Sequence, residues 1–360
     1  MTKLQNPIKE AHEPLLKRVV RSQIFIPVVA LALLVIFNLI MDPSFFSITL
    51  KQNNDGDPVL SGNLITILNN ASELVILAIG MTLVTAASGG QDISVGATIA
   101  VAGSVMLRLL CGTDARADTM ETSLILAFVV GCLASMLCGA FNGTLVAYFK
   151  IQPMVATLIM YTAGRSIAAW VNGNKLPVLN DPTFAVFGGF IPGIPIPTPV
   201  FIAIACMIII ALVMKFTTLR LYTQSVGINS YSSRLNGLNP AFVKFLTYVI
   251  LGLCVGVAAL IKVSRSAINY STIAKDIEMD AILAVALGGN ALSGGKFSMT
   301  GSIIGAYVIQ FLTTTLFNFK VPSDALPAYK AVVVIILVVI SAPVFRDKVS
   351  KMWKAVKGGK

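Results

Sequence analysis

Glu73, Asp92, Arg165 and Asp280 are the ionisable residues that stand deepest inside the apolar stretches of this chain. A charge near the middle of a bilayer costs on the order of 3 kcal/mol on insertion scales, so such groups face water or a partner. One reading makes them the polar lining of a hydrophilic passage. The other puts each at the end of its apolar stretch, at headgroup level. Asp280 opens an apolar run and fits the second reading. Asp92 sits within the glycine-rich break SGGQDISVG (88–96) and fits a role in lining or gating. Asn142 lies between Gly139 and Gly143, where it can hydrogen-bond across helices or face the same passage, and packing is the better account.

Other chemistries find no residues to carry them. The only histidine is His12, near the start, and Cys111, Cys132, Cys138, Cys206 and Cys254 are scattered without a CxxC pair. That leaves no zinc or haem ligand set and no Ser-His-Asp or Cys-His catalytic arrangement. The segment GGNALSGGKF (288–297) invites comparison with a phosphate-binding loop, which needs G-x-x-x-x-G-K-[ST]. Counted from Gly289, the lysine position is Gly295, and Lys296 is followed by Phe297 where a hydroxyl should stand. No nucleotide site follows.

The elements that must hold these residues are membrane helices. The chain has 360 residues, 56% hydrophobic and 12% charged, with a mean hydropathy of +0.83. Soluble domains carry about 25% charged residues. The apolar runs are continuous and of helix-spanning length, unlike the alternating segments of a β-barrel. About ten spans are expected, at 22–41, 64–88, 97–110, 123–148, 153–172, 200–216, 245–261, 280–292, 298–318 and 328–345. Span eight, 280–292, is short enough to be a broken helix. The proline- and glycine-rich stretch 175–199 cannot be a regular spanning helix.

Charge sets the expected orientation. The polar tail 1–21, the insertion 215–244 and the tail 346–360 are basic, and basic loops stay on the cytoplasmic side. Both termini are then cytoplasmic, around one transmembrane domain, 22–345. Lys262 and Arg265 are exceptions, falling on the outer side. The insertion holds Lys215, Arg220, Arg234 and Lys244 and no acid, and a short surface helix is plausible before Pro240. A net charge of +11 so distributed suits anionic lipids and a cytoplasmic partner, not nucleic acid. Two glycine-rich breaks, from Gly89 and from Gly288, echo each other as in inverted-repeat transporters. Three G-x-x-x-G pairs, at Gly139/Gly143, Gly252/Gly256 and Gly301/Gly305, provide close-packing faces.

Four stretches carry a family resemblance: AIGMTLVTAASGGQDISVGATIAVAG (78–103), FKIQPMVATL with AGR (149–165), SVGINSYSSRLNGLN (225–239) and EMDAILAVALGGNALSGGKFSMTGSIIGA (278–306). They resemble permease subunits of bacterial ABC importers for monosaccharides, the ribose/xylose/arabinose/galactofuranose group, and within it the galactofuranose type most of all. The chain departs from the family pattern at Gln91, Ser232 and Ser233, while Asp92, Ser94, Gly227, Asn229 and Gly237 match.

The resemblance implies an all-α, type II importer-like permease in the bacterial inner membrane. It would pair with a second copy or a close paralogue and receive a sugar from an extracytoplasmic binding protein. A separate ATPase subunit would hold ATP and Mg, leaving this chain without cofactor or catalytic residue. Glu73, Asp92, Ser94, Asn142 and Arg165 would then lie along the path. Gly227, Asn229, Arg234 and Gly237 would belong to the segment that couples to the ATPase, and Asp280, Gly288, Gly289, Gly294 and Gly295 to the last motif. The competing class, an ion-coupled secondary transporter, would want buried carboxylates or histidines as relays. An intramembrane enzyme or a bare anchor has less support still.

Overall fold

The computed structural model describes residues 24–52, 56–266 and 270–341. The tails 1–21 and 346–360 lie outside the described residues. Helix α1 (Phe25–Met41) leads through a 3-10 turn (Pro43–Phe46) into a small antiparallel hairpin, β1 (Thr49–Gln52) with β2 (Pro58–Ser61). Helices α2 (Asn63–Ser88) and α3 (Val95–Cys111) flank the first glycine-rich break. After β3 (Arg116–Ala117) come α4 (Leu124–Ala147) and α5 (Pro153–Val171), then β4 (Val178–Leu179), which pairs in parallel with β3. The Pro/Gly stretch contributes only the single turn α6 (Pro182–Ala185) before α7 (Thr198–Phe216).

The basic insertion forms two short helices, α8 (Leu219–Ile228) and α9 (Ser230–Leu235). The second half comprises α10 (Pro240–Arg265), α11 (Ile277–Leu287), α12 (Met299–Asn318) and α13 (Leu326–Ser341). Six of these helices, α2, α4, α5, α7, α10 and α12, are long and apolar enough to cross a membrane, with α1, α3 and part of α13 as shorter apolar helices. The chain is a multi-pass helical membrane protein.

Two expected boundaries move. Span eight is not a span: α11 has 11 residues, about 17 Å at 1.5 Å per residue, against a hydrocarbon core of about 30 Å. It ends inside the protein at Gly288. Span seven is longer than its apolar run. Asn239 caps it by accepting a hydrogen bond from the Phe242 amide (3.2 Å), Pro240 occupies the first turn, and the helix continues through Lys262 and Arg265. Those two cations are the last turn of α10, not the start of an outer loop.

Helix α2 is the centre of the bundle, with 94% of its most apolar stretch buried inside the protein. Helices α4, α7, α10, α11 and α12 surround it or each other, and close approach depends on glycine. Two of the G-x-x-x-G faces meet. A Cβ on Gly139 would strike the Tyr248 carbonyl and lie 3.4 Å from the Gly252 Cα, and one on Gly256 would lie 2.8 Å from the Cys132 Cα. The third pair, Gly301 and Gly305, packs on the backbone of Gly288 and Ala284, which seats α11 against α12. Buried hydrogen bonds fasten the rest. Thr82 donates to the Ala78 carbonyl and contacts Ser302 Oγ, each at 2.6 Å, and Asn38 Nδ2 donates to Thr315 Oγ1 at 2.9 Å.

The two glycine-rich breaks lie at the same end of the bundle and touch. The Gly295 amide donates to the Ala86 carbonyl (2.9 Å), and a Cβ on Gly89 would lie 2.7 Å from the Ser293 carbonyl. Helices α3 and α12 therefore both depart from one junction. The echo between the breaks is a parallel relation, not the inverted one expected.

Candidate functional site: a polar cavity and a glycine junction

At the end of the bundle opposite the junction, α2, α10, α11 and α12 leave a cavity of about 670 Å3. Its walls carry Asn70, Glu73, Lys262, Arg265, Gln310 and Thr313 among others. Glu73, 2% exposed, is the buried anion that explains the two cations at the end of α10. Lys262 Nζ lies 3.1 Å from one of its oxygens and Arg265 Nη1 3.0 Å from the other. Arg265 also donates to the side-chain oxygens of Asn70 and Asn69, both at 2.9 Å. Asp280, on the far wall, pairs with Lys330 of α13 at 2.7 Å. The result is a wall of paired donors and acceptors, suited to a solute rich in hydroxyls.

The other residues expected along a path lie elsewhere. Asp92, Ser94 and Asn142 come together, but in a buried cluster of their own. One carboxylate oxygen of Asp92 accepts from the Ser94 amide (2.8 Å) and hydroxyl (2.6 Å), and the other accepts from Asn142 Nδ2 (3.1 Å). Asn142 Nδ2 also reaches Ser94 Oγ at 2.9 Å. All three are at most 3% exposed. The cluster joins the first break to α4. Arg165 is a clamp: its Nη1 donates to the carbonyls of Tyr270, Ser271 and Ile273 (2.9–3.2 Å). Because Ile273 and its neighbours wall the cavity, Arg165 shapes that wall from behind.

The junction end holds the remaining set. A Cβ on Gly227 would collide with the Ala86 carbonyl oxygen and lie 2.5 Å from the Gly295 nitrogen. Only glycine lets α8 rest on the end of α2 and on the second break at once. Asn229 leaves the helical conformation and caps α9, accepting from the Ser232 amide at 3.0 Å. This cap turns the single helix expected in the insertion into two. Arg234 and Gly237 are exposed, and a Cβ on Gly237 (φ +80°) would meet no atom of the described residues within 4 Å. Gly288 is buried against Gly301. Gly289, Gly294 and Gly295 have φ of +77°, +93° and +88°, a region that favours glycine.

Sequence reasoning passed over Asn290, although it stands within the second break. Its Nδ2 donates to Ser302 Oγ and the Val285 carbonyl, both at 2.8 Å, and its Oδ1 accepts from the Ser298 amide at 2.5 Å, so it fastens the break to α12. It also passed over Lys262 and Arg265 as partners of Glu73. Their violation of the charge rule was the available signal.

A family model described as "Branched-chain amino acid transport system / permease component" matches residues 63–342. The chain belongs to this permease family. It is accordingly a transport subunit and not an enzyme. The permease is 36% identical over 320 residues to the galactofuranose transporter permease protein YtfT of Escherichia coli, covering 88% of this chain and 89% of that one. It is 35% identical over 333 residues to the fructose import permease protein FruF of Bifidobacterium longum (91% and 90% covered). With the ribose import permease protein RbsC of Escherichia coli it shares 31% identity over 315 residues (86% and 91%). No solved structure matches the permease significantly. The family resemblance drawn from the four motifs holds.

Proposed function

We propose that the permease is the membrane-spanning subunit of a bacterial ABC importer for a monosaccharide. A binding protein outside the inner membrane would deliver the sugar, and a separate ATPase chain, holding ATP and Mg, would drive its passage. The observation that carries this reading is the pairing of a polar-walled cavity of about 670 Å3 with a glycine junction beneath it. Relatives named for galactofuranose, fructose and ribose import support the substrate class.

The basic end faces the cytoplasm in this reading. There Tyr231 and Leu235 of α9 are 73% and 72% exposed, four residues apart on one helix and beside Arg234. An apolar stripe with a flanking cation outside the helix bundle fits a groove on the ATPase. Movement of α8 would reach the end of α2 and the second break through Gly227, and from there α3 and α12. A second copy of the permease, or a close paralogue, would complete the path.

The test is uptake of labelled monosaccharides by proteoliposomes holding the permease with and without its ATPase and binding protein. Uptake that needs both partners and internal ATP supports the reading, and a sugar panel then names the substrate. Uptake by the permease alone under an ion gradient overturns it in favour of a secondary transporter.

A further inference from the structure

At the basic end, a second cavity of about 380 Å3 opens between the end of α4, the start of α5, α9 and the start of α10. Lys150, Arg234 and Lys244 all line it, and among its described lining residues there is no aspartate or glutamate. None of the three forms an ion pair with, or donates a side-chain hydrogen bond to, another described residue. Like charges gathered around one cavity repel, and here a second field adds to the first. Pro153 and Pro240, the first residues of α5 and α10, also line the cavity. Helix N-termini carry partial positive charge and repel cations while attracting anions. The N-terminus of α5 has no side-chain cap, so its first amides have no acceptor from Gln152.

We propose that Lys150, Arg234 and Lys244 form a binding site for a phosphate-bearing anion, supplied in the membrane by the headgroup of an acidic phospholipid. A phosphate would neutralise the three cations and accept from the uncapped α5 amides in one place. Its source is argued from the surroundings. Tyr148 and Phe149, 52% and 69% exposed, immediately precede Lys150, an aromatic–basic sequence that fits the membrane–water interface. Val146 and Ile151 give the cavity an apolar side that acyl chains can follow. Basic pockets between helices at this level bind lipid phosphates. The site is independent of which solute the permease carries.

The experiment is a titration of the purified full-length permease, followed by native mass spectrometry and thermal unfolding. The probes are phosphatidylglycerol, phosphatidylcholine with the same chains, and inorganic phosphate. Saturable binding of phosphatidylglycerol without matching phosphatidylcholine binding is expected. At about 1 kcal/mol per basic residue, Lys150→Gln or Lys244→Gln weakens it roughly fivefold and the pair about thirtyfold. Lys51→Gln, on the hairpin at the other end, leaves it unchanged. Lys150→Gln alone, at an exposed position, keeps the test open if the double variant fails to fold. Saturable, lysine-dependent binding of inorganic phosphate without lipid binding supports the site and makes a soluble anion its ligand. Phosphatidylglycerol binding indifferent to both lysines overturns the proposal. So does lysine dependence that appears only in affinity for the ATPase chain.

Discussion

Glu73 and Gly89 stand within and just beyond the same helix, about 24 Å apart along its axis, and the surroundings of the two are made from opposite materials. Around Glu73 the space between helices is wide, and long side chains reach across it to be held by ion pairs and amides. Around Gly89 the helices converge until backbone touches backbone, and Gly227, Gly294 and Gly295 leave no side chain between them. The first arrangement tolerates movement, because charged side chains can follow one another. The second does not, because a shift of any backbone is felt by its neighbours at once. Under the proposed function, a cavity that admits a solute and a joint that transmits displacement would call for those two materials respectively.

Gly227 is where the close packing of the junction leaves the least room. Adding a methyl there forces α8 off the Ala86 carbonyl, and overpacking of this kind costs about 1–3 kcal/mol. Gly227→Ala is expected to lower ATP-dependent uptake at least about tenfold, and Gly227→Leu to abolish it, in permease that still assembles by size-exclusion chromatography. Gly237→Ala meets no neighbour and carries only the backbone cost of a positive φ, about 1 kcal/mol. Its uptake should stay within about threefold of wild type. Equal losses at the two glycines would show that the junction has no special part in transmission.

The cavity end predicts stability losses of another origin. Glu73→Gln leaves Lys262 and Arg265 without their anion in a partly buried setting, where their side chains are 30% and 25% exposed. Breaking a fully buried pair costs about 3–5 kcal/mol, and this exposure reduces it to about 2 kcal/mol. Thermal unfolding in detergent reads the change directly. A variant as stable as wild type would mean that the ion pairs are incidental to the wall.

Asp92 and Asp280 sharpen the contrast further. Asp92 accepts three hydrogen bonds from buried donors near the junction, whereas Asp280 pairs with Lys330 at the cavity with its side chain 20% exposed. Leaving buried donors unpartnered costs about 1–3 kcal/mol. Asp92→Ala is expected to impair uptake about tenfold, more than Asp280→Asn does, measured at matched expression. Equal activities would remove Asp92 from the machinery.

Much of the bundle was legible in the residue pattern because bilayer thickness imposes length: the runs 64–88, 123–148 and 153–172 became α2, α4 and α5 within a residue at either end. The exceptions share one cause. Helix α11 and the last turn of α10 are set by partners distant in sequence, Gly301 and Gly305 for one and Glu73 for the other, and no local pattern records those contacts. The site was legible in composition but not in placement. Glycines and a carboxylate inside apolar runs announced special positions, yet whether Asp92 faces a cavity or a neighbouring amide depends on how α4 crosses α3, and that depends on three-dimensional packing.

The smallest effect concerns acid. Asp42 follows α1, where hydrogen bonds from the side chains of Ser44 and Asn318 hold its carboxyl below the ordinary carboxylate range, outweighing a slight upward push from burial. A carboxyl lowered by folding stabilises the folded state when ionised. Its contribution is therefore complete above the unfolded value near pH 4 and fades as pH falls through the lowered one. The unfolding midpoint of wild type should decline over that acid window, and Asp42→Asn should flatten part of the decline. Gly227→Ala, whose effect is one of shape, should lower the midpoint by the same amount at pH 7 and pH 4. A Gly227→Ala deficit that changes with pH would mean that charge, not backbone contact, holds the junction, and the contrast between the two ends would then be one of degree.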